Sequence, residues 1–312
     1  MRAVVIVDKQ VRIDTVQDPT CGSEELIVKV KAAGLNAADI LQKNGFYPAP
    51  PGIPQEIPGL EFAGIVKEVG SQTAGFKVGD AVMGVVGGAA QAEFCKIHYS
   101  NAILVPKSMD LISAGGFCET YFTAYDALIR QARLQMSEKV LINGAAGGVG
   151  LSAIALAGAL NARVIASARH PEHHETLRRL GAEPILASVS DQYGPYDVIL
   201  ELVGAVNLPS DLADLAMEGR LSVIGVGAGA KSEIDLRILM AKRARIFGST
   251  LRARSIEAKA LLAQEITAHV LPLYELGKAP VTLASTFDFN EVQQAYDSFA
   301  QPGKLGKIVM TF

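Results

Sequence analysis

One stretch in the middle of the chain decides the fold: Val140-Leu141-Ile142-Asn143-Gly144-Ala145-Ala146-Gly147-Gly148-Val149-Gly150. An aliphatic run leads into a cluster of glycines, and an apolar segment from Leu151 to Leu160 follows. This order predicts a strand, a tight turn and a buried helix. Glycines in such a turn let the backbone approach a pyrophosphate, whose charge is held by N–H groups at the helix N-terminus. The spacing is A-x-G-x-x-G rather than G-x-G-x-x-G, so close helix packing alone is a competing explanation.

The sequence around the turn favours the binding explanation. From residue 139 to 248, short aliphatic runs alternate with helical stretches, which predicts a doubly wound α/β fold with a parallel sheet. The predicted strands are Lys139 to Asn143, Arg163 to Ala168, Pro184 to Leu186, Asp197 to Glu201, Arg220 to Ile224 and Ala244 to Phe247. Pro171 and Gly181 mark the start and the end of the helix after the second strand.

The flanking sequence has a different pattern. Glu25 to Ala32 alternates apolar and polar residues, and glycines separate further short runs up to about residue 120, which predicts an antiparallel, barrel-like β domain. After Ser255, a helix to Leu271, a strand, a helix and a last strand from Lys307 to Phe312 could complete it. The predicted domains are therefore residues 1–120 with 256–312, and an inserted cofactor domain at residues 121–255.

Composition narrows the class of partner. A chain of 312 residues has room for two domains, and a net charge of −3 gives no reason to expect nucleic acid or an anionic membrane. Three separated cysteines make neither a disulfide framework nor a metal motif, which favours a reducing cytoplasm. Residues 140–162 are uncharged and long enough to cross a bilayer, but their glycines fit a strand, a turn and a buried helix better.

The end of the second predicted strand indicates which dinucleotide binds. An NAD site usually has Asp or Glu about 20 residues after the turn, where it holds the ribose 2′-hydroxyl. Here the residues are Ala166-Ser167-Ala168-Arg169. A missing acid and a nearby arginine favour the 2′-phosphate of NADPH, although Arg169 could also be an ordinary solvated residue at a helix start.

Several motifs together resemble one family, the medium-chain dehydrogenases/reductases, in the zinc-free quinone oxidoreductase (zeta-crystallin-like) branch. The motifs are residues 34–39 (GLNAAD), 58–64 (PGLEFAG), 78–80 (VGD), 123–125 (TAY), 144–150, 240–242 (MAK), 251–255 (LRARS) and 306–309 (GKIV). The resemblance implies a GroES-like β-barrel substrate domain and a Rossmann cofactor domain. It also implies hydride transfer from the dinucleotide to a small molecule.

The resemblance extends to the positions at which zinc-dependent relatives bind their catalytic metal. Asn36, Leu60 and Glu119 stand there in this chain. Zinc prefers nitrogen and sulfur donors, and leucine cannot be a ligand. The run of four cysteines that holds a structural zinc in those relatives is also missing. We therefore predict no metal, and interpret the neighbouring Cys118 as a small buried hydrophobe.

Without zinc, hydrogen-bond donors must stabilise the developing oxyanion. Tyr47, in the stretch Gly45-Phe46-Tyr47-Pro48, and Asn36 are the predicted catalytic residues, because the resemblance places both beside the nicotinamide. The alternatives are a plain loop aromatic for Tyr47, and capping of a short helix for Asn36 and Asp39.

The remaining expectations concern the cofactor pocket. Thr123 follows from the resemblance, and backbone groups beyond the carboxyl ends of the strands follow from the fold. The full predicted set of cofactor-binding residues is Asn36, Thr123, Gly144, Ala145, Ala146, Gly147, Gly148, Val149, Gly150, Ser167, Arg169, Leu202, Val203, Gly225, Val226, Gly227, Ser249, Thr250, Leu251 and Lys307. Lys307 and Arg252 could instead be surface charges. His170, His173 and His174 follow the second strand on a helix predicted to be exposed, and are interpreted as solvated residues or neighbours of the adenosine phosphate rather than as a metal cluster.

The sequence thus predicts an NADPH-dependent oxidoreductase that transfers hydride to quinones or α,β-unsaturated carbonyls without zinc. Two alternatives remain open: reduction of enoyl thioesters on an acyl carrier or coenzyme A, and a non-catalytic structural or regulatory protein that binds NADPH. A homodimer is expected, formed through the last strand of the parallel sheet near Arg245 to Ser249, as in other members of the family.

Overall fold

The computed structural model describes every residue from Met1 to Phe312, and these residues form two compact units. The antiparallel unit comprises Met1–Phe122, Leu251–Glu275 and Leu283–Phe312, and the parallel unit comprises Thr123–Thr250 and Leu276–Thr282. The predicted boundaries at residues 120 and 255 lie near these divisions. The short segment 276–282 was predicted with the β domain, but it belongs to the parallel unit.

Fifteen strands and ten α-helices make up the two units. The strands are β1 (Arg2–Val7), β2 (Gln10–Thr15), β3 (Glu25–Leu35), β4 (Glu61–Val69), β5 (Ala81–Val85), β6 (Phe94–His98), β7 (Ala102–Leu104), β8 (Lys139–Asn143), β9 (Arg163–Ser167), β10 (Glu183–Ile185), β11 (Tyr196–Glu201), β12 (Leu215–Val223), β13 (Arg245–Gly248), β14 (Leu283–Asp288) and β15 (Lys307–Thr311). The helices are α1 (Ala37–Lys43), α2 (Leu111–Gly115), α3 (Cys118–Tyr125), α4 (Gly148–Ala159), α5 (His174–Arg179), α6 (Leu208–Asp214), α7 (Leu236–Lys242), α8 (Ile256–His269), α9 (Leu271–Glu275) and α10 (Val292–Ala300).

The antiparallel unit is built on a sheet in the order β14-β15-β3-β4-β5-β7, with β6 also paired to β3. All of these pairs are antiparallel except β14 with β15. The long strand β3 turns alternate apolar residues into the core, where Leu26, Val28 and Val30 pack against Phe62. The C-terminal strand β15 pairs with β3, and the predicted completion of this unit by the C-terminal segment is therefore observed.

The parallel unit contains six parallel strands in the order β10-β9-β8-β11-β12-β13, which confirms the predicted doubly wound sheet. Its core joins Leu141, Ile165, Ile199 and Leu221, one from each of four neighbouring strands. Because all strands run the same way, their carboxyl ends lie along one edge, where open α/β sheets bind ligands. Helix α4 begins at that edge, and most of it is buried.

The uncharged segment at residues 140–162 forms β8, the glycine turn and α4. No helix in the structure has the length and apolar character needed to span a bilayer.

Two expectations about elements were wrong in detail. Strand β12 starts at Leu215, five residues before the predicted Arg220, because Leu215 already pairs with Tyr196 of β11. His173 was expected to be exposed, but it is buried. A short 3-10 helix, Pro171–His173, precedes α5 and places His173 on the same inward side as the buried Leu177 four residues later.

Candidate functional site

The glycine turn between β8 and α4 has the geometry of an anion site. Gly144 has φ of +78°, a conformation that only glycine adopts without strain. The Ala145 N–H donates to the carbonyl oxygen of Ser167 at 3.0 Å and so ties the turn to the end of β9. The first i→i−4 bond of α4 runs from Leu151 to Gly147. The N–H groups of residues 148–150 precede that bond and are available to a phosphate.

Gly150 is required by packing as well. A Cβ atom on Gly150 would lie 2.6 Å from the Cα and carbonyl oxygen of Ala145, closer than a real Cβ approaches backbone. Close helix packing and phosphate binding are therefore not alternatives at this turn: the packing of α4 on the turn is what brings the helix N-terminus to the sheet edge.

The end of β9 lacks a carboxylate, as the sequence shows. Ser167 is buried and Arg169, two residues beyond, is exposed. An exposed guanidinium beside the strand end can contact a ribose phosphate, whereas a ribose 2′-hydroxyl would find no acid here. The structure therefore leaves Arg169 accessible for the predicted contact.

A buried polar network joins the glycine turn to the loop after β11. Asn143, the last residue of β8, donates through Nδ2 to Glu201 Oε2 and to Asp211 Oδ1, both at 2.8 Å. Glu201 Oε1 accepts the N–H of Gly204 at 2.7 Å and the N–H of Val203. Asn207 Nδ2 donates to Glu201 Oε2 at 3.0 Å. The network thus fixes the backbone at Leu202 and Val203, two residues that were predicted to contact the cofactor.

The two carboxyl groups of this network, Glu201 and Asp211, are buried together, and the amide that bridges them is neutral. Burial, and then the charge of Glu201, raise the pKa of Asp211 to about 8, while the bond from Asn143 lowers it. Sequence reasoning missed this network. The available signal was an unexpected polar residue, Asn143 or Glu201, at the end of a buried apolar strand.

The other predicted backbone contacts lie beside this loop. Gly225 donates its N–H to the Glu201 carbonyl at 3.0 Å, and Ala228 donates to the Val203 carbonyl at 2.8 Å. The hydroxyl of Ser249, just after β13, donates to Asp126 Oδ2 at 2.7 Å. Gly225, Val226 and Gly227 follow β12, so these backbone contacts lie at the carboxyl edge of the sheet. Thr123, at the N-terminal boundary of the parallel unit, is buried on α3, and Leu251 belongs to the antiparallel unit.

In the antiparallel unit, the predicted residues Asn36 and Lys307 belong to a buried ion cluster. Lys307 Nζ donates to Glu61 Oε1 at 2.6 Å, to Asn36 Oδ1 at 2.7 Å and to the Leu35 carbonyl at 2.9 Å. Asn36 Nδ2 donates to Glu61 Oε1 at 3.0 Å and to the Gly34 carbonyl at 3.3 Å. Pairing of β15 with β3 brings Lys307 beside Asn36.

This cluster revises two expectations. Lys307 is buried, so it is not the surface charge considered as an alternative. Its three ammonium hydrogens have three partners inside the unit, which argues against the predicted phosphate contact. Asn36 likewise uses both amide hydrogens internally, so as a catalytic donor it would have to exchange a partner for substrate.

Glu119 adds a second carboxyl group to the cluster. Its backbone N–H donates to Glu61 Oε2 at 2.8 Å, while its side-chain Oε2 is buried and has no hydrogen-bond partner. Burial, and then the negative charge of Glu61, raise the pKa of Glu119 to about 8. The group is therefore largely protonated at neutral pH. It was considered only as a zinc-position residue from the sequence, and its chemical significance was missed.

Asp39 explains the short helix α1. Its Oδ2 accepts the N–H of Asn36 at 2.8 Å, as a capping carboxylate does, and its Oδ1 accepts the N–H of Gly59 at 2.9 Å. Burial raises its pKa to about 6, against the lowering effect of these N–H groups. The capping interpretation of Asp39 is thus observed, and its two bonds tie α1 to the segment before β4.

Arg252 holds the loop of the predicted catalytic tyrosine. Its guanidinium donates to the carbonyls of Tyr47 and Gly87, each at 2.7 Å, and to Gln42 Oε1 at 2.6 Å. The guanidinium carbon also lies 5.1 Å from the centroid of the Tyr47 ring, within the range of a cation–π contact. Arg252 is buried rather than a surface charge. It acts on Tyr47 by fixing the backbone and the ring.

Three residues stand where zinc-dependent relatives bind their catalytic metal, and they are poor metal donors in this geometry. Leu60 is buried and apolar, and the amide of Asn36 is engaged internally. The thiol of Cys118 is buried, and burial raises its pKa, so a thiolate is disfavoured. In the structure, no group of three His, Cys, Asp or Glu side chains is arranged to hold a metal ion.

A parallel α/β unit with a glycine turn, present in one chain with an antiparallel β unit, is the architecture of two-domain dehydrogenases and reductases. Residues 22–132 match the family model described as the alcohol dehydrogenase GroES-like domain, and residues 148–267 match the zinc-binding dehydrogenase model. The GroES-like match confirms the expected type of fold for the N-terminal part.

Similar proteins identify the branch. The chain is 31% identical to the quinone oxidoreductase of Lama guanicoe over 306 residues, which cover 94% of this chain and 90% of the relative. It is 30% identical to the quinone oxidoreductase of Homo sapiens with the same coverage. A crystal structure of an alcohol dehydrogenase superfamily protein from Novosphingobium aromaticivorans superposes with a TM-score of 0.89 at 28% identity, covering 100% of this chain and 99% of that one.

The chain therefore belongs to the medium-chain dehydrogenase/reductase family, in the zeta-crystallin-like quinone oxidoreductase branch. It is an oxidoreductase, and its cofactor is a nicotinamide dinucleotide. These findings confirm the predicted family, fold class and type of enzyme.

Proposed function

We propose that this protein is an NADPH-dependent reductase that works without zinc and delivers hydride to quinones or α,β-unsaturated carbonyls. The observation that carries the proposal is the pairing of two features in one chain. One is a glycine turn with free N–H groups at a helix N-terminus. The other is a set of zinc-position residues, Asn36, Leu60 and Glu119, that form an internal cluster or are apolar.

The parallel unit would hold the dinucleotide. The pyrophosphate would bind the N–H groups of Gly148, Val149 and Gly150, and the 2′-phosphate would bind Arg169 with Ser167 beneath it. Backbone groups after β11, β12 and β13 would line the nicotinamide end. The bound cofactor supplies a hydride, and the protein supplies position and protons.

The antiparallel unit would manage the charge that hydride transfer creates on the substrate. Arg252 fixes Tyr47, so a phenol hydroxyl can be presented with little loss of rotamer freedom. Reduction of a quinone by NADPH consumes one proton from solvent, and the Tyr47 hydroxyl is the proposed donor to the developing oxyanion. Asn36 is the second proposed catalytic residue. Its amide donates to Glu61 and accepts from Lys307, and these two charged groups would polarise the amide beside the substrate.

A substrate screen tests the function. Purified protein would be assayed for NADPH oxidation with 1,4-benzoquinone, 9,10-phenanthrenequinone, an alkenal and an enoyl thioester, in the presence and absence of a chelator. We expect turnover of quinones or the alkenal that the chelator leaves unchanged. Preference for the thioester would instead support the acyl-chain alternative. Tight NADPH binding without turnover would support a structural or regulatory role, and chelator-sensitive oxidation of simple alcohols would contradict the zinc-free proposal.

Cofactor preference has its own test, because the family alone implies only a nicotinamide dinucleotide. Arg169→Ala should raise the KM for NADPH about tenfold and change the KM for NADH by less than about twofold, since only NADPH has a 2′-phosphate. Arg179→Ala, which removes an exposed arginine of α5, is the matched control and should affect neither. An equal effect of Arg169→Ala on both cofactors would show that Arg169 does not read the 2′-phosphate.

We also propose a cytoplasmic homodimer. The cysteines are all unpaired, as a reducing compartment requires. Strand β13 is the last strand of the parallel sheet, so one of its edges is available for pairing with a second copy. Light scattering after gel filtration should give twice the chain mass. Ile246→Pro, which removes an N–H from this edge strand, should favour the monomer if β13 is the interface.

A further inference from the structure

The carboxyl pair formed by Glu201 and Asp211 connects two segments that the proposed function uses. Asn143, which donates to both carboxyl groups, is the residue immediately before the glycine turn. Glu201 holds the N–H groups of Val203 and Gly204 in the loop after β11. The turn and that loop also pack directly, since a Cβ on Gly144 would lie 3.3 Å from the side chains of Leu202 and Val203.

The ionisable side chains around the Glu201–Asp211 pair are acidic, and no cation is bonded to the pair. Strand β11 contributes Glu201 and the phenol of Tyr196, whose pKa is raised by burial and, to a smaller extent, by nearby carboxyl groups that include Asp211. Strand β8 contributes the neutral Asn143. The helix α6 that carries Asp211 contributes the further carboxyl group of Asp214, and Asp191 stands beside Asp214. The cation of α7, Lys242, donates to the carbonyls of Ala213 and Leu215 rather than to the pair.

Two adjacent buried carboxylates without a cation repel each other strongly, and the usual result is that one of them keeps its proton. The hydrogen bonds indicate which one. Glu201 accepts bonds from two backbone N–H groups and two amides, so both of its oxygens already have donors. Asp211 accepts a single bond through Oδ1, and its Oδ2 is buried and lacks a partner. A proton on Asp211 would let its carboxyl group donate a hydrogen bond to the neighbouring carboxylate of Glu201.

We propose that Glu201 and Asp211 hold one proton between them and that this proton keeps the glycine turn and the loop after β11 in their binding geometry, so that its loss at alkaline pH weakens binding of the dinucleotide. Asp211 is then a positioning residue, which acts on the cofactor through Glu201 and Asn143. The part of the proposal that concerns the dinucleotide rests on the proposed function. The proton itself does not.

The first experiment measures dissociation constants for NADPH between about pH 7 and pH 9.5 by quenching or enhancement of the cofactor fluorescence. For the wild type we expect the Kd to rise about tenfold, since a buried pair of like charges then opposes the loop geometry. Asp211→Asn should change by less than about twofold over this range, because its amide can donate to Glu201 at every pH. Glu183→Gln, the control, changes an exposed carboxylate at the start of β10 and should keep the wild-type dependence.

Three results would overturn the proposal: a wild-type Kd that does not change with pH, an Asp211→Asn dependence equal to that of the wild type, or loss of the dependence in Glu183→Gln. If the wild type binds neither NADPH nor NADH near neutral pH, the proposed function fails instead. The proton is then still tested by the second experiment, which needs no cofactor.

The second experiment compares chemical unfolding of the unliganded wild type and of Asp211→Asn from about pH 5 to pH 9.5. Asp211 is expected to bind its proton more tightly when folded than when unfolded. The unfolding equilibrium constant of the wild type, divided by that of the variant, should therefore rise with pH by up to about tenfold per pH unit and level off above about pH 8. Buried groups common to both proteins cancel in this ratio. A ratio independent of pH would show that Asp211 holds no extra proton.

Discussion

The two units of this protein bury carboxylates in different ways. In the antiparallel unit, Glu61 is fully buried against the ammonium of Lys307 at 2.6 Å, so charge is balanced by charge. In the parallel unit, Glu201 and Asp211 are buried together without a cation among their hydrogen-bond partners, and we infer that a proton takes that place. The difference matters because a shared proton is lost as the pH rises, so only the pair in the parallel unit is expected to respond to alkaline pH in this way.

The strongest way to break this comparison is to remove the cation. Lys307→Ala leaves the buried Glu61 without a cation, and we expect the free energy of unfolding to fall by about 3–5 kcal/mol. Denaturant titration followed by circular dichroism measures the change. Lys29→Ala, an exposed lysine of the neighbouring strand β3, is the control and should cost less than about 0.5 kcal/mol. A loss below about 1 kcal/mol in Lys307→Ala would mean that Glu61 does not depend on the ammonium group.

The corresponding change in the parallel unit removes the neutral bridge. Asn143→Leu keeps a similar volume but takes one donor from Glu201 and the sole donor from Asp211, so we expect a loss of about 2–3 kcal/mol near neutral pH. Asn207→Leu removes one bond to Glu201 alone and should cost about 1 kcal/mol. Equal losses in the two variants, measured by denaturant titration, would contradict the bridging role of Asn143.

The sequence indicated the backbone of both units much better than it indicated these networks. Hydrophobic periodicity and the glycine turn are local, so they predicted the six parallel strands and the buried helix after the turn, although β12 and this helix begin earlier than predicted. The ion cluster joins Asn36, Glu61 and Lys307, which are far apart in the chain and meet because β15 pairs with β3. Periodicity carries no information about that partner choice. The sequence therefore predicts a phosphate ligand or a surface charge at Lys307, whereas in the structure its ammonium group has three partners inside the unit.

The residues that we propose for cofactor binding and catalysis divide in the same manner, into contacts that the sequence indicates and contacts that it does not. The missing acid after β9 can be read directly from residues 166–169, because that contact depends on one strand end. The support of Tyr47 by Arg252 could not be predicted, since it depends on a side chain more than 200 positions away that folds against the same loop. The raised pKa of Glu119 depends on burial beside Glu61, which is likewise set by the tertiary structure.

Glu119 sharpens the comparison, because it is a carboxyl group near a cation that nevertheless holds a proton. Its folded-state pKa is raised, so the wild type should lose stability as the pH rises from about 4 to about 8 and no further above that. Glu119→Gln lacks this titration. Its stability relative to the wild type should therefore increase between about pH 5 and pH 8, by up to about 1.4 kcal/mol per pH unit while Glu119 titrates, and then stay constant.

Urea titrations of both proteins at several pH values give this difference directly. Glu138→Gln, which changes a glutamate in the surface ion pair with Arg220, serves as the control and should show no such rise on the alkaline side. If the stability of Glu119→Gln follows that of the wild type at every pH, Glu119 is ionised in the folded protein and Lys307 balances both carboxylates.

Asp39 should give the smallest effect, because it lies between the two extremes. Its two N–H donors offset much of the cost of burial, and its pKa rises only to about 6. Asp39→Asn loses one of these bonds but also removes a buried charge, so the free energy of unfolding near pH 7 should change by less than about 1 kcal/mol.

The stability of Asp39→Asn relative to the wild type should increase as the pH rises from about 4 to about 6, and the difference should then stay constant. Asp80→Asn, where the carboxylate accepts the Lys77 N–H at the surface, should show no such gain. A difference that continues to grow up to about pH 8 would place Asp39 with Asp211, among the groups that rely on a proton rather than on donors.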